Sequence, residues 1–172
     1  MALVSILAVV ILILSIFGGM KKGAVKQFFS LAILLVAIPL AGMSYRLIAL
    51  IISFLPGENW ENFIGFFITL ALVSVALHFI TWIPRRIVRT MWKKGLIFRL
   101  VGGVLNLTQT SIGLALLALV IAAYPIWRWL AEAIYGSGVM MGLLERFGFV
   151  AGMLPEAFRS AAVAVTNGFL PL

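Results

Sequence analysis

Four long apolar stretches dominate the chain, at residues 2–19, 29–54, 63–83 and 100–124, with short polar segments between them. Each approaches or exceeds the ~20 residues that a helix needs to cross the hydrocarbon of a bilayer. None alternates polar and apolar positions as a half-buried strand does, and lipid does not tolerate open sheet edges. The pattern predicts an all-α integral membrane protein with four transmembrane helices. The first stretch has no basic leader, and Lys21 and Lys22 follow it. A cleavable signal peptide has the opposite order, so residues 2–20 read as a retained first span.

Two segments depart from this pattern. Between spans three and four, Arg85, Arg89 and Lys93 recur at helical spacing, while Ile87, Val88, Met91 and Trp92 fall on the other side of the same helix. That is an amphipathic helix lying on the membrane, started by Pro84 and closed near Gly95. After Pro125 the apolar runs become short and are broken by glycines and by Arg128, Glu132, Glu145, Arg146, Glu156 and Arg159. The chain therefore divides into a four-span membrane domain, residues 1–125, and an extracytoplasmic interfacial helical tail, residues 126–172. The tail is expected to form short surface helices with Trp127, Trp129 and Tyr135 as interfacial anchors. A fifth span, or a C-terminal segment that re-enters the bilayer, is the structural alternative.

Composition sharpens the class. Of 172 residues, 64% are hydrophobic and 10% charged, against about 25% charged in ordinary soluble domains. The mean hydropathy is +1.21. Cysteine is absent and there is one histidine, so disulfides, thiolate metal sites and cysteine nucleophiles are excluded. No metal or other cofactor is implied, and nothing in the charge pattern points to nucleic acid.

Charge sets the orientation. The first loop holds Lys21, Lys22 and Lys26; the second holds Glu58 and Glu61; the third holds Arg85, Arg86, Arg89, Lys93, Lys94 and Arg99. Cytoplasmic loops are enriched in Lys and Arg, which puts loops one and three in the cytoplasm and both termini outside. The third-loop residues Arg85, Arg86, Arg89, Lys93 and Lys94 have two readings. One is a topology-setting signal. The other is a surface for anionic lipids of the cytoplasmic face, or for a protein partner, each basic residue adding about 1 kcal/mol near an anionic membrane.

Polar side chains within spans are costly enough to be candidate functional residues. His78 lies about 7 Å from the cytoplasmic end of the third span, and Asn106, Gln109 and Thr110 lie roughly 10 to 15 Å from the same face on the fourth. The four are expected to meet in the inner half of the bundle. They form either an interhelical hydrogen-bond knot or, with an imidazole that titrates near neutrality, a proton or ion step. No intramembrane carboxylate accompanies them, which favours the knot. Small residues at four-residue steps, Ser15, Gly19 and Gly23, Ala37 and Ala41, and Gly138 and Gly142, allow backbones to approach in lipid. Gly19 and Gly23 are expected to close the first hairpin on itself.

The hairpin "SIFGGMKKGAVKQFFSLA" resembles the opening of the colicin V production protein family, with Gly19, Lys22, Gly23, Lys26, Gln27, Ser30 and Leu31 in the positions that carry the likeness. The third span running into a basic helix, "NFIGFFITLALVSVALHFITWIPRRIVRTMWKKG", and the glycine-rich opening of the fourth, "FRLVGGVLNLTQTSIGL", are similar to that family as well. Asn106, Gln109 and Thr110 stand where the family usually has glycine, lysine or a small residue. The resemblance implies a multi-pass protein of the bacterial inner membrane with four spans, linked to colicin V export or production and to envelope homeostasis, and carries over no catalytic residue.

Three functions fit these observations. The first is a non-enzymatic envelope factor acting through membrane protein partners or as a homo-oligomer. The second is a small oligomeric channel or transporter, and the third an accessory subunit of a larger membrane complex. A serine, histidine and aspartate triad is excluded by the absence of aspartate.

Overall fold

The structure, a computed structural model, describes residues 2–52, 58–91, 95–123 and 128–154. Those residues form helices α1 (Ala2–Lys22), α2 (Ala24–Ile51), α3 (Glu58–Ile80), α4 (Trp82–Met91), α5 (Leu96–Ala123), α6 (Arg128–Tyr135), α7 (Gly138–Arg146) and α8 (Phe149–Met153). Helices α1, α2, α3 and α5 are long and apolar enough to cross a membrane. The shortest, α1, has 21 residues, about 31 Å at 1.5 Å per residue. Spans two and four begin earlier than the apolar pattern suggests, because α2 takes in Lys26 and α5 takes in Arg99. Long cationic side chains at a helix end reach out of the hydrocarbon along their own stems, so they need not end the helix.

Local sequence explains the joints. Gly23 alone connects α1 to α2, with φ +82° and ψ 159°, a conformation that side chains disfavour. Its N–H bonds the Gly19 carbonyl at 2.9 Å. The break between α3 and α4 falls at Thr81, three residues before Pro84. A proline removes the bond to the carbonyl four residues back and crowds that carbonyl; here that residue is Ile80, the last of α3. Pro84 therefore sits in the first turn of α4, where its missing N–H costs nothing, and the amphipathic helix starts two residues earlier than expected. Pro39, in contrast, lies inside α2, which continues through it.

The packing order differs from the chain order. Helix α1 lies along α5, α5 along α2, and α2 along α3, whereas α1 and α2 touch only over a short stretch. The glycines show why. A Cβ on Gly19 would overlap the Gly102 carbonyl and the Asn106 Cβ, and one on Gly102 would lie 2.7 Å from the Gly19 carbonyl oxygen and 2.8 Å from the Gly23 carbonyl carbon. A Cβ on Gly103 would come within 3.0 Å of the Met20 side chain. The small-residue line of Ser15, Gly19 and Gly23 thus closes α1 onto α5, not onto its hairpin partner α2. On the other side of the row, Gly65 of α3 approaches the Ala49 backbone of α2, and Tyr45 and Phe66 meet edge to face at 6.3 Å. Ala37 and Ala41 are fully buried. Gly138 and Gly142 face open space, so that pair is not a close-packing line.

The C-terminal helices fold against the end of the bundle away from Gly23. None of α6, α7 and α8 exceeds nine residues, too few to span. Each buries one face in the same apolar core as the spans: Ala131, Ile134, Met140, Leu144, Val150 and Leu154 join Ala8, Tyr45, Ile112, Ala115 and Leu119. Helix α7 lies against α1 and α5, and α8 against α5 and α2, so the tail occupies the space that opens between α1 and α2. Ser137 caps α7 by accepting from the Met140 N–H at 3.3 Å and pairs with the Ser5 hydroxyl of α1 at 2.8 Å. The Tyr135 hydroxyl donates to the Ala118 carbonyl at 3.1 Å, and burial pushes its pKa upward. Tyr135 is therefore a tether to α5. Trp129 is exposed. Trp127 and residues 155–172, with the re-entrant alternative, lie outside the described residues.

Outward faces of the spans are apolar, among them Leu7, Leu14, Met43, Leu47, Leu72 and Phe79, the surface that lipid covers. Cations gather where α1 ends and α2 and α5 begin: Lys21, Lys22, Lys26 and Arg99 are all exposed there.

Gly102→Ala is expected to force α1 from α5, costing about 1–3 kcal/mol and lowering the thermal midpoint in detergent. Gly113→Ala, where a Cβ meets nothing, is expected to leave the midpoint unchanged or raise it. Tyr135 has a folded pKa above its unfolded value near 10, so its contribution is complete below pH 10 and declines as pH rises above it. Tyr135→Phe should lower stability by about 1 kcal/mol near neutrality, and the gap to the parent should narrow above pH 10 in a denaturation series.

Candidate functional site

The close crossing at Gly102 determines where the polar side chains of α5 go. One turn further along α5, Asn106 reaches the α1 backbone and its Nδ2 donates to the Ser15 carbonyl. The Ser15 hydroxyl is already engaged, donating to the Leu12 carbonyl at 2.7 Å. Three residues beyond Asn106, a step that turns a helix to a face about 60° away, Gln109 addresses α2 instead. Its Nε2 donates to the Ser30 hydroxyl at 3.1 Å. Asn106 and Gln109 thus fasten α5 to both of its neighbours from adjacent faces.

Two atoms of this seam are unmatched. Gln27, one turn before Ser30 on α2, is 2% exposed, and its Nε2 has no hydrogen-bond partner; the Gln109 Oε1 is likewise buried without one. One is a donor and the other an acceptor. Each such group costs about 1–3 kcal/mol when left unpaired away from water, so the α2–α5 interface carries a polar demand that its own side chains do not meet. Thr110 is half-buried beside them and makes no side-chain hydrogen bond among the described residues.

The fourth residue expected in this cluster stands elsewhere. His78 lies in the last turn of α3 and is exposed. Helix α3 packs along α2 and has no comparable contact with α5, so α2 intervenes between the imidazole and the amides. What the structure brings together is Asn106 and Gln109 with Ser15, Ser30 and Gln27, a seam of neutral amides and hydroxyls. Such groups hold helices in register and bind polar guests, but they do not exchange protons near neutral pH.

His78 belongs instead to a surface that α3 forms with α4. Ser74, Val75, His78, Phe79 and Trp82 line an open groove of about 550 Å³, and the Arg86 guanidinium lies 5.9 Å from the centre of the Trp82 ring. Arg86 is exposed; Arg85 and Arg89 lie on α4, and Lys93 and Lys94 fall outside the described residues. Within the first hairpin, Gly19 makes the α5 contact, Gly23 makes the corner, and Lys22 and Lys26 flank it exposed.

Gln27 and Ser30 are the site residues that the sequence analysis did not single out as chemistry. Gln27 sits between Lys26 and "FFS", and proximity to the lysines made it look like part of a polar turn. Its helical phase carries the missing signal: it is in step with Ala24, Ala41 and Tyr45, all of which are buried.

No group of three or more histidine, aspartate or glutamate side chains that would hold a metal occurs among the described residues. Four long apolar helices with lipid-type outer faces define a multi-pass α-helical membrane protein. Residues 4–148 match the family described as colicin V production protein, and the chain belongs to that family. It is not a known enzyme family. No curated protein and no solved structure matches the chain.

Asn106→Leu is expected to cost about 0.6–2 kcal/mol, and Gln109→Leu less, because it removes the unpaired Oε1 along with the bond to Ser30. The two residues are neighbours in one polar seam, so the double variant should depart from the sum by about 0.5 kcal/mol or more. Thr110→Val should stay within about 0.5 kcal/mol of the parent. Unfolding midpoints in one detergent give all four values.

Proposed function

We propose that the protein is a non-enzymatic envelope factor of the bacterial inner membrane, working through membrane partners or its own oligomers in export or envelope homeostasis. The family match over residues 4–148 is the observation that carries this reading. The seam supports it, since Asn106 and Gln109 are engaged in holding α5 to α1 and α2. In the proposed orientation the end bearing Lys21, Lys22, Lys26, Arg86 and Arg99 faces the cytoplasm, by the enrichment of Lys and Arg on that side. The N-terminus of α1 and helices α6 to α8 then face outward, and α6 to α8 offer an outer surface on which a partner can assemble.

A second reading, an oligomeric channel, is favoured by the unpaired Gln27 Nε2 and Gln109 Oε1, which are groups of the kind that line hydrated paths. The two readings separate in a cell and in a vesicle. In cells that secrete colicin V, deletion of the gene is expected to lower exported toxin several-fold, with restoration by the parent and not by Gly102→Leu. Solute flux through proteoliposomes is expected to stay at background for the parent and for Asn106→Leu alike. Normal export without the gene, or parent flux well above background that Asn106→Leu alters, would overturn the envelope-factor reading. A periplasmic reporter after Leu172 should be active and one in the third loop silent.

A further inference from the structure

The α3–α4 groove is a concave feature on the outer side of the bundle that carries both apolar and polar side chains. One turn back along α3 the lining is Val75 and Ser74, and nearer the helix end it is Phe79 and His78. Ser74 lies about 9 Å, and His78 about 3 Å, before the end of α3. At that end His78 and Phe79 stand at one level with Trp82 beyond them, and the Arg86 guanidinium lies over the Trp82 ring, 5.9 Å from its centre. The Arg86 end is also the end that bears the exposed Lys21, Lys22, Lys26 and Arg99. No acidic residue lies in either segment that reaches it, all five being at 58, 61, 132, 145 and 156.

His78 stands on an outer face in the last turn of α3, the level at which side chains meet headgroups. Helix α3 ends the row, and among the described residues it packs along α2. Whatever fills the groove must therefore be apolar at Val75, and at the Trp82 end able to lie against Phe79 and meet a cation and an imidazole. Trp82 is an aromatic of the sort that sits at headgroup level, and a stacked guanidinium attracts phosphate without leaving the ring.

We infer that this groove binds an anionic glycerophospholipid, with the phosphate at His78 and Arg86, the glycerol level at Phe79 and Trp82, and an acyl chain running inward along Val75. The inference goes beyond the proposed function and rests on the basic end lying at the headgroups. It does not depend on which face of the membrane that is, nor on any role in export.

Trp82 reports the occupant directly. A variant that keeps Trp82 and carries phenylalanine at positions 60, 92, 127 and 129 is placed in vesicles of phosphatidylcholine and phosphatidylglycerol at one fixed ratio. Brominated acyl chains, which quench tryptophan on contact, are put on phosphatidylglycerol in one set and on an equal mole fraction of phosphatidylcholine in the other. Quenching should be about two- to five-fold stronger from phosphatidylglycerol, weaken at high salt, and become equal between the two lipids in Arg86→Gln and in Val75→Phe. Equal quenching in the starting protein, or a preference that survives Arg86→Gln, would overturn the inference. Absence of quenching by either lipid would overturn it too, by showing that protein, such as a second copy of the chain, covers the groove. Native mass measurement of the parent chain, with all tryptophans present, supplies an independent check: phosphatidylglycerol should be retained over phosphatidylcholine in the parent and lost in Arg86→Gln. The vesicles carry the protein in both orientations, so a failed topology or export test leaves this result standing, and the reverse.

Discussion

The backbone contact between Gly19 of α1 and Gly102 of α5 is the constraint on which the bundle depends. In lipid there is no hydrophobic drive between helices, so association rests on close packing and on hydrogen bonds. Absence of two side chains lets the main chains meet there, and that meeting fixes the rotation of α5 about its own axis. Once it is fixed, Asn106 is committed to the Ser15 carbonyl and Gln109 to Ser30. The buried row of Ile112, Ala115 and Leu119 is then presented to α2 and to the C-terminal helices. A bulkier residue at the crossing would turn all of these together.

Two kinds of surface follow from this arrangement. Inside, polar atoms are few and neutral, and they serve register. Outside, the spans are mostly apolar, with cations such as Lys22, Lys26 and Arg99 near their ends, and His78 and Arg86 stand together where α3 bends into α4. The bend itself comes from Pro84 acting on Ile80, so one ring both ends a span and shapes the groove beside it. The tail contributes differently: it fills the gap between α1 and α2 that arises because α1 has chosen α5 as its partner. Ser5 with Ser137, and Tyr135 with Ala118, tie that filling in place.

Much of this could be read from the residues. Four spans, the amphipathic helix and the short helices of the tail all follow from apolar length and period, which depend on local chemistry alone. The pairing of helices did not follow, because a glycine line states that a close partner exists without saying which; Gly19 and Gly23 pointed as well to α2 as to α5. Depth along the spans puts His78 with Asn106 and Gln109, but depth is a single coordinate: residues at one level can stand on opposite sides of α2. Gln27 was obscured by its lysine neighbour, although its phase matched the buried positions of α2.

The row order α1, α5, α2, α3 also bears on how the chain can be made. Gly19 leaves the ribosome about 80 residues before Gly102, an interval of several seconds to tens of seconds at 5–20 residues per second. For that time α1 resides in lipid without its main partner, and it is suited to do so, since Ser15 satisfies its hydroxyl within its own turn. The demanding amides are on α5, which arrives last among the spans, when the Ser15 carbonyl and the Ser30 hydroxyl are already in the membrane to receive them. The order of synthesis thus places acceptors before donors, and no amide of the Asn106 and Gln109 pair has to wait in hydrocarbon for a partner not yet translated.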